Sequence, residues 1–110
     1  HVTRKTHGTF IGSDVMVGHK ALIHGCTLQD ACFVGMNATV MDGAVVETGA
    51  MVAAGALVTP RKVVKAGELW SGSPARLMRK LDDSEIAYIT ESAQHYAKLA
   101  EMFRTGEVPE

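Results

Sequence analysis

The chain has 110 residues, 11 basic against 12 acidic, and a formal net charge of −1. That length supports one modest core. The even charge balance excludes the basic footprint of a nucleic-acid binder, and no run of 18 apolar residues offers a membrane-spanning helix.

The chain opens at His1, with neither an initiator Met nor a charged-then-apolar signal segment. The expectation is that it starts partway through a longer protein. Arg4-Lys5-Thr6-His7-Gly8 is polar and is expected to bulge outward as a loop. Cys26 and Cys32, the only cysteines, are too few for a disulfide framework. Reduced, buried thiols in a cytoplasmic protein are therefore expected.

From Ile11 an internal repeat dominates. Aliphatic residues recur every six positions at Ile11, Val17 and Ile23, then, after one five-residue step, at Leu28, Val34, Val40, Val46, Val52, Val58 and Val64. Small or β-branched residues follow at Val15, Ala21, Thr27, Cys32, Ala38, Ala44, Ala50 and Ala56. A period of six does not match the helical 3.6. A short strand and a tight corner every six residues does. The aliphatic and small residues then alternate inward, and glycines such as Gly43, Gly49 and Gly55 suit corners that need positive φ or close backbone approach. Three faces close a triangular coil of about 18 residues, and coils stack about 4.8 Å apart by parallel pairing. The predicted fold is all-β with a C-terminal helix: a single-stranded parallel β-helix of about three coils plus one packing α-helix.

The beat stops near Val64. Lys65 to Leu81, with Trp70, Gly72, Ser73 and Pro74, reads as a connecting loop. Asp82 and Glu85 form a capping box. Ile86, Ile89, Ala93, Tyr96, Ala100 and Phe103 then make one apolar stripe on a helix that ends by Gly106 and Pro109. The division is residues 1–81 for the β-helix with its loop and 82–110 for a helix packing on it.

Two histidines carry the functional signal. His19 lies two residues after Val17, at a corner. His24 lies one after Ile23, on the outside of the next face. Five extended residues span about 16 Å. Two imidazoles share one zinc only when their Cα atoms lie within about 12–13 Å. One chain is thus a poor source of both, whereas two chains related by a threefold axis can supply them at a shared interface. If the Arg4–Gly8 segment bulges out, His1 stacks one coil below His24; without the bulge it falls one coil below His19. The bulge is preferred because Lys5 otherwise points inward. Three histidines with an open water position form a catalytic zinc pattern. On spacing alone, a surface pair hydrogen-bonded at a subunit contact explains His19 and His24 as well. His7 and His95 read as solvent-facing, and Cys26 as a corner residue.

Ile11-Gly12, Val17-Gly18-His19, Leu22-Ile23-His24-Gly25-Cys26-Thr27, Val34-Gly35-Met36 and Met41-Asp42-Gly43-Ala44-Val45-Val46 together resemble the gamma-carbonic-anhydrase-like hexapeptide proteins. Gly67-Glu68-Leu69-Trp70-Ser71-Gly72-Ser73-Pro74-Ala75 resembles their loop before the C-terminal helix. The resemblance implies a left-handed coil and a homotrimer with zinc, alternatively iron or cobalt, at each interface. It also implies metal ligands His1 and His24 from one chain and His19 from the next, with Tyr96 a helix tyrosine near the metal. The Arg4–Gly8 bulge lacks the proton-shuttling Glu of the best-studied class.

The leading expectation is reversible hydration of CO2 to bicarbonate. A rival is acyl transfer from acyl-CoA, with His24 as general base and no metal. A third is a non-catalytic assembly subunit that keeps a metal site.

Overall fold

The repeat becomes ten two-residue strands: β1 (Phe10–Ile11), β2 (Met16–Val17), β3 (Leu22–Ile23), β4 (Thr27–Leu28), β5 (Phe33–Val34), β6 (Thr39–Val40), β7 (Val45–Val46), β8 (Met51–Val52), β9 (Leu57–Val58) and β10 (Val63–Val64). They are seen in a computed structural model that describes residues 8–89 and 91. Every third strand stacks in parallel on the one before. The three sheets run β1-β4-β7-β10, β2-β5-β8 and β3-β6-β9. Phe10 pairs with Thr27 and Thr27 with Val45, so the first coil takes 17 residues and the next 18. The five-residue step read in the sequence accounts for that difference. This is the three-sided parallel β-helix that the beat predicts.

The second residue of each strand points to the axis. Leu28, Val34, Val40, Val46, Val52, Val58 and Val64 are all 0% exposed, each removing apolar surface worth roughly 2 kcal/mol. Ile11 and Val17, in the first coil, remain 56% and 43% exposed because no described residue stacks beneath them. Cys32, Ala38, Ala44, Ala50 and Ala56 fill the inner corners. The short step corrects one assignment: Cys26, not Thr27, takes the inner corner before Leu28. Cys26 is buried in the core, whereas Thr27 is half-buried in the β4 ladder. Both cysteines are unpaired and buried, and desolvation pushes the Cys32 thiol up to about 12.

Side chains at the corners satisfy turn amides of adjacent coils. Asp30 Oδ1 accepts the Ser13 N–H at 2.7 Å, and Glu47 Oε1 accepts the Ala66 N–H at 3.0 Å. Gly18 is required for contact rather than for φ. A Cβ there would lie 2.6 Å from the Met36 nitrogen of the coil above.

The stretch from Lys65 to Leu81 is not a plain loop. It carries β11 (Glu68–Gly72), which stacks in parallel on β8, and β12 (Ala75–Lys80), which returns antiparallel to β11 after a cis Ser73–Pro74 bond. Glu68 is buried at its base. Its Oε1 accepts Trp70 Nε1–H at 3.0 Å and the Lys65 N–H at 3.1 Å, and Lys80 Nζ lies 3.4 Å from Oε2. The Trp70 hydrogen bond, more than any other contact, holds the Glu68 carboxyl below its ordinary range.

The capping box forms as expected. Asp82 Oδ1 accepts the Glu85 N–H at 2.8 Å, and Glu85 Oε1 accepts the Asp82 N–H at 3.0 Å. It opens the helix α1, residues 83–89. Arg79 adds a bidentate pair to Glu85 at 2.5 and 2.6 Å, which holds the Glu85 carboxyl down at about 2. Ile89, the first buried residue of the apolar stripe, packs with Leu69 and Leu81 against Phe33, Met51 and Ala53. Ile86, the first residue of that stripe, is instead exposed, and the stripe from Ala93 onward lies outside the described residues. Among the described residues no helix is long and apolar enough to cross a membrane.

Candidate functional site

The two histidines stand at the two ends of one strand. β3 is preceded by the corner of His19 and followed by that of His24. The polypeptide at His19 is tightly fixed: its carbonyl accepts the Asn37 N–H at 2.9 Å, and Gly18 donates to the Val34 carbonyl at 2.8 Å. Its side chain is exposed and borders a cleft with Met16, Phe33 and, from α1, Tyr88.

His24 has a different setting. The connections elsewhere between β1 and β9 have four residues, but His24-Gly25-Cys26 has three. Gly25, at φ 63°, turns the chain alone, and its carbonyl accepts the Gly43 N–H at 2.7 Å. The break in the repeat therefore falls at the corner that carries the histidine. Asp42 sits on the full-length corner one coil above, and its Oδ1 lies 2.7 Å from His24 Nδ1. Both side chains are part-buried. Leu22, Val40, Met41 and Pro60 complete a small, mostly apolar cleft of about 300 Å³ around the pair.

The two imidazoles thus border separate clefts on one chain. Among the described residues, no three His, Cys, Asp or Glu side chains converge to hold a metal ion. His1 and Tyr96, the other expected site residues, and His7 and His95 lie outside the described residues. The donor set nevertheless suits a metal ligand. A histidine whose Nδ1 meets a carboxylate offers Nε2 in a fixed orientation, the usual outer-shell arrangement of metal-bound imidazole. Asp42 was not singled out from sequence. Its signal is the coil length, since it lies 18 residues beyond His24.

A stacked hexapeptide solenoid with outward imidazoles at successive corners defines the class, and comparison with known proteins agrees. The family model for the hexapeptide repeat of succinyl-transferase matches residues 8–40 and 29–60. Gamma carbonic anhydrase 1, mitochondrial, of Arabidopsis thaliana is 52% identical over 92% of this chain and 37% of its own length. A probable carbonic anhydrase of Methanocaldococcus jannaschii is 50% identical over 88% of this chain and 61% of its own. The crystal structure of a hexapeptide transferase family protein from Anaplasma phagocytophilum superposes with a TM-score of 0.76 at 42% identity. It covers 86% of this chain and 61% of that one. The chain spans about a third of the length of the plant relative and about three fifths of the archaeal one. It belongs to the hexapeptide-repeat proteins of the gamma-carbonic-anhydrase-like family, left-handed parallel β-helices.

Proposed function

We propose that this chain forms a homotrimer whose interfaces each hold a zinc ion, and that the assembly hydrates CO2 reversibly to bicarbonate. The observation that carries the reading is the placement of His19 and His24 at opposite ends of β3, bordering separate clefts. Separate clefts on one chain favour a cation shared where two neighbouring prisms meet along this face, with His24 of one chain facing His19 of the next. By family resemblance His1 supplies the third nitrogen and Tyr96 stands near the metal; iron or cobalt are the alternative ions. The identity to the plant and archaeal relatives supports the same assignment.

A divalent ion held by neutral imidazoles acts as a Lewis acid and lowers the pKa of coordinated water to about 7. The chain's own residues set the conditions for that chemistry. Asp42 orients the His24 ring through Nδ1. The His19 backbone is pinned by Asn37 and by the tight contact of Gly18 with Met36, so the imidazole starts from a rigid corner. Leu22, Met41 and Pro60 around His24 give an apolar wall, which suits a small non-polar substrate better than a charged one and lets bicarbonate leave. The proton passes to solvent.

The test is stopped-flow CO2 hydration on zinc-loaded protein, wild type against His19→Ala. Wild-type turnover abolished in His19→Ala is expected. Turnover that survives the substitution overturns the proposal.

A further inference from the structure

We infer that Asp42 is a positioning residue that fixes the tautomer of His24, so that Nε2 is the nitrogen presented to a cation. The inference rests on the reading of this site as a metal centre. An ionised carboxylate only accepts hydrogen bonds. At 2.7 Å from Asp42 Oδ1, His24 Nδ1 must therefore carry the hydrogen. In a neutral ring the lone pair then belongs to Nε2.

The geometry is imposed by the coil rather than by chance contact of mobile side chains. The backbone of Asp42 is held from both sides. Its carbonyl accepts the Arg61 N–H at 3.0 Å from the coil above, and the next residue, Gly43, donates to the Gly25 carbonyl at 2.7 Å below. His24 is held the same way, its N–H donating to the Val40 carbonyl at 3.2 Å. The three-residue corner matters here. In a four-residue corner the residue below Asp42 would be a separate second corner position. At the shortened corner His24 and Gly25 alone face Met41, Asp42 and Gly43, and the carboxylate of the upper coil reaches the ring of the lower. The irregular step in the repeat and the carboxylate one coil higher thus form a single device for aiming one imidazole.

The pair is part-exposed in one chain, so its contribution to folding is small. Its contribution to orientation is not reduced by solvent in the same way, because a misaimed ring or the wrong tautomer removes a ligand altogether. Outer-shell carboxylates of this type change metal affinity by roughly ten- to a hundredfold when removed.

The experiment has two parts on the full chain. Long-range ¹H–¹⁵N NMR on metal-free protein, at a pH where the ring is neutral, reads the His24 tautomer directly. The Nδ1–H form is expected in wild type and in Asp42→Asn, whose carbonyl oxygen still accepts, with a shift toward Nε2–H in Asp42→Ala. Zinc titration then follows, with affinity expected to fall about ten- to a hundredfold in Asp42→Ala and far less in Asp42→Asn. A merely structural role for Asp42 would leave the tautomer unmoved in folded Asp42→Ala. A wild-type His24 found as Nε2–H overturns the inference even if Asp42→Ala does not fold, as does an unchanged tautomer in a folded Asp42→Ala. Failure of wild type to bind zinc, with the Nδ1–H tautomer observed, would instead overturn the metal-site reading and leave the role of Asp42 in aiming the ring standing.

Discussion

Replacing Gly18 with Ala tests the link between the repeat and the site at its tightest point. A Cβ at Gly18 would sit 2.6 Å from the Met36 nitrogen and 2.9 Å from the Gly35 carbonyl carbon and the Met36 Cα. These are all backbone atoms, which cannot rotate away. Ordinary contact begins at 3.4 Å, so the coils must part locally by about 0.8 Å. The bond from Gly18 N–H to the Val34 carbonyl, now 2.8 Å, and that from Asn37 N–H to the His19 carbonyl, now 2.9 Å, would then exceed hydrogen-bond length. Losing two ladder bonds at these partly exposed corners costs about 1–3 kcal/mol, or roughly 10 °C in Tm for a domain of this size. The control is Gly49→Ala, where nothing lies within 4 Å of the added Cβ but φ is +72°. Only the left-handed penalty of about 1 kcal/mol applies there. Thermal denaturation at one fixed protein concentration, since assembly shifts Tm, should rank the variants wild type, Gly49→Ala, Gly18→Ala. Because His19 follows Gly18 directly, zinc affinity should fall in Gly18→Ala and not in Gly49→Ala. Gly18→Ala as stable as Gly49→Ala, or with unchanged zinc affinity, would refute the packing argument.

Other outcomes follow from the same structure. The Cys32 thiol, pushed up to about 12 by desolvation, should resist a thiol reagent at pH 8 until the protein unfolds. Because its folded value lies above the unfolded one, stability should decline as pH rises from about 9 toward 12, seen as falling denaturation midpoints that flatten in Cys32→Ala. Glu85 behaves oppositely: held down at about 2 by Arg79 and the Asp82 amide, it favours folding above its ordinary value. Helical circular dichroism should therefore fall as pH drops from about 4.5 toward 2, and Glu85→Gln should blunt that dependence. Glu68→Ala leaves Trp70 Nε1–H and the Lys65 N–H without their acceptor. It should cost about 2–4 kcal/mol and shift the emission of Trp70, the only tryptophan, with Glu68→Gln milder on both counts.

Most of the architecture is legible in the sequence because each turn of this fold repeats one local decision. An aliphatic residue every six positions can only line an axis, and the one short step moved the inner corner to Cys26 without disturbing the seven buried aliphatic residues that follow. The hairpin of β11 and β12 is less legible. Leu77, Met78, Arg79 and Lys80 are exposed, so no alternation of buried and exposed residues marks β12, and its anchor is a polar network around Glu68 rather than an apolar pattern. Corners at Asp14, Lys20, Ala31, Asn37 and Arg61 adopt positive φ without glycine, because the ladders on either side over-determine the turn. At the site, outward histidines are visible from their phase alone. Asp42 is not, since the five-residue step marks the short corner without saying that the carboxylate one coil above bends down to His24 Nδ1, a contact that appears only once the coils are stacked.

If imidazoles from two polypeptides share one ion, mixing subunits that each lack one of the two histidines rebuilds intact sites. His19→Ala and His24→Ala are each expected to assemble without binding zinc. Unfolded together in equal amounts and refolded, they should regain about a quarter of the wild-type zinc sites. In a ring of like contacts, that fraction of interfaces pairs an intact His19 from one variant with an intact His24 from the other. Zinc bound at that level, with matching recovery of CO2 hydration, is the predicted result. Mixed trimers that bind none, or His19→Ala trimers that bind fully alone, would contradict it.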